Sequence, residues 1–372
     1  MAYKQILQSI IADVVAPTAI STDKNSQFPK ATLAALGKAG ILGLTCSKDV
    51  GGMGLGLADA AYVVEQLAQF CPSTAMVVTM HYCGTAIIET HGSKEIRQKI
   101  AEGKHLTTLA WSESGSRSHF WAPVGTARKD SSGYIVDCKK TMVTSAMEAD
   151  SYVWTSKPTS GNGAATMWFV EKNNPGLKLT QTYDGLGLRG NASAPMSSEN
   201  MKLPDTALLG TDGGGFDMMI GIVLPYFCTL NASCSIGIME ASLTASIKHV
   251  TESKFAHLNS NLSDLPTIRA YLAKARIKTD MIQTLRNDTL AAINSNRPDA
   301  MLRVMEVKAA AADAALEVTD ICMRVSAGAA FRKDIGIERF FRDARASHIM
   351  APTSDVLFDF IGKAICNIPV FG

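Results

Sequence analysis

The sequence predicts an α+β chain in three successive parts: an N-terminal helical domain (1–105), a middle β-barrel-like domain (106–212) and a C-terminal four-helix bundle (213–372). Three observations carry this reading. Apolar residues recur at spacings of three and four toward both ends, the mark of helices with one buried face. Between them lie short runs rich in β-branched and aromatic residues, separated by turn-forming clusters. Strands and helices do not alternate, which excludes a doubly wound parallel sheet.

In the first part, FPKATLAALGKAGILGL and LADAAYVVEQLAQF keep the helical period, with Gly and Pro mostly at the joints. KDVGGMGLG is a glycine-rich connector; it lacks both the preceding strand and the GK[ST] ending of a phosphate loop. The texture changes near residue 106. GYIVDCKKTMVT, SYVWT and TMWFVE read as strands, and DSSG, PTSGNG and NNPG as the turns between them. After LPDTALLGTDGGG the helical period returns in SIGIMEASLTASIKHV, LPTIRAYLAKARIKTDMIQTLRNDTLAAI and MLRVMEVKAAAADAALEVTDICMRV. Their alanines permit close helix–helix approach, as in a bundle.

Composition narrows the functions. Apolar residues make up 47% of the 372 and charged residues 19%, as in a packed protein. A net charge of +2 without a polybasic run gives no electrostatic footing for nucleic acid or an anionic membrane. No membrane span is expected, on the reading that no uncharged apolar stretch of about 18 residues occurs. The opening MAYKQILQSIIADVV is amphipathic and lacks a signal peptide's long apolar core. Eight scattered cysteines form no CxxC pair, so no disulfide framework or metal site is expected; buried thiols in a reducing cytoplasm are.

Four segments then stand in a telling order: FPKATLAALGKAGILGL with GGMGLG; HGSKEIRQKIAEGKHLTTLAWSESGSRS; GLGLRGNASAPM with LPDTALLG; and IERFFRDAR leading to TSD. Together they resemble the acyl-CoA dehydrogenase superfamily over nearly the whole chain. The resemblance implies FAD between the β domain and the C-terminal bundle, and a homotetramer or homodimer. It also implies an acyl thioester substrate, and electron-transfer flavoprotein or oxygen as electron acceptor. The family's usual chemistry removes a proton from the α carbon while the flavin accepts hydride from the β carbon. That demands an apolar slot for the ring, donors on the thioester carbonyl and a base within reach of the proton.

Residue by residue, the resemblance places Trp111 and Ser112 on the flavin-facing strand, with Ser112 replacing a Thr whose hydroxyl bonds the flavin. Ser118 matches a serine on the thioester arm. Thr144 keeps the contact near flavin N5, whereas Met142 replaces the indole that packs on the ring; a thioether still suits an aromatic face. Thr353, Ser354 and Asp355 match the hydrophilic cluster that meets FAD and starts the last helix, where such residues also act as caps. Four departures fall on function. Ala351-Pro352 stands where the family has its catalytic Glu. The alternative base position falls on Phe227 or Cys228, and Pro225 and Cys228 replace a substrate-facing Asp and Arg. Phe255-Ala256-His257-Leu258 replaces an Arg-x-Gln-Phe that reaches FAD pyrophosphate, with Lys254 as a substitute charge. Arg324 replaces a Gln, as a candidate pyrophosphate ligand.

Arg117 and His119 are gains beside Ser118, and His348 lies one helical turn before Ala351. His119 and His348 are therefore the candidate bases, with an isolated imidazole equally able to serve as a structural hydrogen-bonder. Tyr226, with an ordinary pKa near ~10, is a poor one. The expected activity is FAD-dependent oxidation of the CH–CH group of an acyl thioester with an atypical base. A reduced-flavin monooxygenase and a base-independent acyl-CoA lyase or desulfinase are the enzymatic alternatives, and a non-catalytic flavoprotein is the last.

Overall fold

Helices occupy both ends of the chain and strands its middle, in the order read from the sequence. The structure is a computed structural model and describes residues 2–371. Helices α1 (Ala2–Ile10), α2 (Ala16–Lys24), α3 (Lys30–Lys38), α4 (Leu57–Ala68), α5 (Pro72–His91) and α6 (Lys94–Ala101) come first. Strands β1 (Thr107–Ala110), β2 (Thr126–Asp130), β3 (Gly133–Val143), β4 (Ser151–Ser156), β5 (Thr166–Glu171), β6 (Leu177–Leu179), β7 (Ala194–Leu203) and β8 (Leu208–Leu209) follow. Helices α7 (Gly215–Met218), α8 (Leu224–Glu252), α9 (Pro266–Asn294), α10 (Ala300–Ser326), α11 (Ile337–Ile349) and α12 (Ser354–Ile365) complete the chain, with a hairpin of two two-residue strands, Lys254–Phe255 and Ser260–Asn261, between α8 and α9.

The described residues fall into two compact units, one of residues 2–63, 76–185 and 189–227, the other of 64–75, 186–188 and 228–371. In the first, two four-stranded sheets form the β domain, ordered β1-β4-β5-β8 and β2-β3-β7-β6. β1 pairs with β4 in parallel, and the remaining pairs are antiparallel. Strand alternation turns Val136 and Cys138 of β3 toward Tyr152, Trp154 and Trp168 of the other sheet, and this shared cluster is the domain's core. The helices of this unit are pinned to the β domain by His81 of α5. Its Nδ1 accepts the Thr107 N–H at 3.1 Å and its Nε2–H donates to the Leu42 carbonyl at 3.1 Å.

In the second unit α10 packs against α9, α11 and α12 and buries an alanine-rich face. Close approach recurs at Gly237 of α8, where a Cβ would lie 2.4 Å from the Glu65 carbonyl oxygen; only hydrogen fits there. Glu65 in turn forms an ion pair with Arg286 of α9 at 2.8 Å.

One expectation needs correction. Met218–Met239 carries no charged side chain, and the continuous helical run Gly215–Glu252 is long and apolar enough to cross a membrane. Its apolar window is 72% buried within the protein, which makes it a core helix here. Seven of the eight cysteines are free and buried, and Cys366 is free and exposed.

Candidate active site

The sequence-selected residues lie on two separate structural supports, one in each unit. In the first unit, the chain leaving β1 runs beside β3. The Thr141 N–H donates to the Ser112 carbonyl at 2.9 Å, and Glu113 bridges to Lys140. This register brings Trp111 and Ser112 alongside Met142, so both ends of the predicted flavin-facing edge meet. Met142 is 54% exposed, a bare apolar side chain on that edge. The Ser112 hydroxyl is half-buried and makes no hydrogen bond among the described residues. Trp111 is buried with its ring stacked on Phe120 at 6.0 Å, and its Nε1–H has no partner among the described residues. Thr144 differs: its hydroxyl is buried and already lies 3.1 Å from the Ser193 hydroxyl.

The loop 114–123 follows Glu113. Arg117 is exposed and holds a left-handed backbone (φ 48°), and Ser118 is half-buried. His119 is exposed with its ring edge-on to Trp121 at 4.9 Å, and neither ring nitrogen has a hydrogen-bond partner among the described residues. Tyr226 is less suited to proton removal than its ordinary value suggests, because burial pushes its phenol up to about 12.

In the second unit, the turn from α11 to α12 carries the position where a carboxylate was expected. Ala351 is half-buried and Pro352 is buried. The turn is held from below by Lys308 of α10, whose fully buried Nζ donates to the carbonyls of Ser347, Met350 and Pro352 at 3.0, 3.1 and 2.8 Å. Burial pulls this ammonium down to about 8, while the three carbonyl dipoles favour its charged form. Ser347 also donates to Asn231 Oδ1 at 2.6 Å and accepts from Ser235 at 3.1 Å. Thr353 is the N-cap residue of α12, but its side chain makes no capping bond. Asp355 is exposed in the first turn, where its charge suits the helix dipole. The buried hydroxyls of Ser354 and Thr229 have no partner among the described residues.

His348 projects from α11 to Asp313 of α10, with Nε2 2.9 Å from Oδ1, in a pair whose side chains are 31% and 53% exposed. Arg324 lies with its guanidinium 4.6 Å over the Tyr271 ring, so a local contact already engages it. Cys228 is a buried thiol pushed up to about 12 by desolvation and supplies no acid or base near neutrality. Sequence reasoning passed over Glu113, Lys140, Lys308 and Asn231. Lys140 was legible by parity, sharing the inward face of Val136 and Cys138, and Lys308 by period, one helical turn from the buried Val304.

Three family models match in sequence order: the N-terminal domain of acyl-CoA dehydrogenase at residues 2–103, its middle domain at 108–201 and its C-terminal domain at 213–366. The chain belongs to the acyl-CoA dehydrogenase family. It is 25% identical over 370 residues to a cyclohex-1-ene-1-carbonyl-CoA dehydrogenase of Geobacter metallireducens, covering 97% of this chain and 96% of that one. It is 26% identical over 349 residues to a mitochondrial short-chain specific acyl-CoA dehydrogenase of Bos taurus, covering 91% and 83%. The solved butyryl-CoA dehydrogenase of Megasphaera elsdenii shares the fold, with a TM-score of 0.91 at 20% identity, covering 98% and 97%.

FAD is the cofactor of this acyl-CoA dehydrogenase family. The β-domain edge fits a flat, hydrogen-bonding ring: Ser112 offers an unused hydroxyl, Trp111 an unused N–H and Met142 an uncovered apolar surface.

Proposed function

We propose that this enzyme is an FAD-dependent oxidoreductase of acyl thioesters in which His119, on the β-domain loop, takes the α proton. Position 351 has no carboxylate to do so. The observation that supports the assignment is a contrast between two imidazoles. His348 is engaged by Asp313, whereas both ring nitrogens of His119 are open to a new partner. His119 also follows Ser118, the residue matched to the thioester arm, which brings proton acceptor and carbonyl donor onto one loop. When bound, FAD supplies the acceptor for the hydride that leaves the β carbon. The chain's own part is to polarise the carbonyl, hold the ring edge through Ser112 and Trp111, and accept the proton at an imidazole nitrogen.

Assembly as a homotetramer or homodimer belongs to the same proposal, and exposed Ile277, Met281, Phe331 and Ile349 of the second unit support it. So do electron-transfer flavoprotein or oxygen as electron acceptor, and a cytoplasmic setting in keeping with the free thiols.

The test uses flavin-loaded protein mixed anaerobically with butyryl-CoA or cyclohex-1-ene-1-carbonyl-CoA. Bleaching of the flavin band is expected, slowed at least ~10-fold in His119→Ala. Bleaching at the unaltered rate in that variant removes His119 from the mechanism. The exposure of Met142 favours a second reading, a reduced-flavin monooxygenase with a more open ring site. Its signature is oxygen consumption on supply of reduced flavin, from a protein that no acyl thioester bleaches.

A further inference from the structure

Glu113 immediately precedes the 114–123 loop, and its side chain reaches across to the loop's far end. Its Oε2 accepts the Val124 and Gly125 N–H groups at 2.7 and 2.8 Å. Its Oε1 accepts from Lys140 Nζ at 2.6 Å, with both side chains essentially without solvent exposure (1% and 0%). The other ammonium hydrogens of Lys140 go to the Thr155 carbonyl and hydroxyl at 2.8 and 2.9 Å, which ties the pair to β4. The Glu113 carbonyl accepts the Arg117 N–H at 3.0 Å, which sets the first turn of the loop. At the exit, a Cβ on Gly125 would lie 2.3 Å from Cys138 Sγ, so the loop leaves flush against β3.

A buried ion pair is a poor source of stability, since apolar side chains of similar volume commonly do as well. What apolar side chains cannot do is accept two backbone N–H groups from the other end of a loop. The chemistry retained at 113 is therefore chemistry that acts on loop 114–123. We propose that Glu113 and Lys140 are positioning residues: their pair is a clasp that holds Arg117, Ser118 and His119 in one arrangement for the thioester. The effect on turnover rests on the acyl thioester reading above; the effect on the loop does not.

Two double variants of the flavin-loaded enzyme separate these effects. Glu113→Leu/Lys140→Met refills the space but offers the loop no acceptor, whereas Glu113→Gln/Lys140→Met keeps one amide oxygen for Val124 and Gly125. Trypsin cutting after the exposed Arg117 reads loop order, and KM against kcat for butyryl-CoA reads positioning. In a folded Leu/Met variant we expect cutting about tenfold faster at a temperature well below its own unfolding transition, with KM raised about tenfold and kcat changed less. The Gln/Met variant returns both to within about threefold of the parent. Parental cutting rates in a folded Leu/Met variant overturn the clasp. Faster cutting with unchanged KM and kcat overturns the positioning role. If Leu/Met does not fold, Glu113→Asp, which shortens the reach while keeping both charges, takes its place with the same expected and overturning results. Absence of any thioester turnover in the parent defeats the preceding reading, while the trypsin arm still decides the clasp.

Discussion

Acidification should weaken the fold through His81. This imidazole is wholly buried between the Thr107 N–H and the Leu42 carbonyl, and desolvation lowers it from its ordinary 6.5 to about 4. An unfolded chain takes up this proton below about 6.5, the folded chain only below about 4. The folded state therefore has the full benefit above 6.5 and loses it as pH falls toward 4. The gap is worth about 3 kcal/mol in all, of which about 2 kcal/mol is gone by pH 5. The control is His81→Gln, whose carbonyl can accept from Thr107 and whose amide can donate to Leu42 without titrating. Urea unfolding at pH 7 and pH 5, followed by tryptophan fluorescence, gives the difference. His105, which burial also lowers, is present in both proteins. Wild type should lose about 2 kcal/mol more than the variant over this interval. Equal losses would refute the claim that the fold keeps His81 neutral.

Two further outcomes follow from the second unit. Lys308→Met leaves three carbonyls without the donor that now reaches them at 2.8–3.1 Å, and relief from burying the ammonium offsets only part of that loss. Destabilisation on the order of 3 kcal/mol is expected, measured by thermal unfolding, with faster amide exchange at the start of α12. His348→Ala breaks a solvent-exposed pair with Asp313, so stability should change by less than about 1 kcal/mol and flavin bleaching by acyl-CoA should be unaffected.

The architecture was legible because its signal is periodic and local. The change from spacings of three and four to alternation near residue 106 coincides with β1, and the return of the helical period after Gly215 opens α7 and α8. The resemblance assigned Trp111, Ser112 and Met142 to one edge, and the register between Ser112 and Thr141 sets those residues side by side. The remainder was hidden for a physical reason. Parity and period place Lys140 and Lys308 on inward faces, but the acceptors that satisfy their buried ammonium groups are distant in sequence and no local pattern names them. Arg324 was read as a candidate pyrophosphate ligand because it stands where the family has a Gln; its contact with Tyr271 depends on the packing of α9 against α10, which no local pattern gives. The uncharged stretch at Met218–Met239 was missed because threonine, asparagine and serine interrupt its apolar residues.

The carbonyl cradle around Lys308 also bears on chemical wear. Activated acyl esters modify amines that are uncharged and accessible, and an amine held near 8 would be among the most nucleophilic lysines in this protein if reagents could reach it. Enclosure behind the α11–α12 turn withholds it from acylation for as long as that turn stays closed. Its labelling by an amine-directed reagent would thus time each opening of the turn.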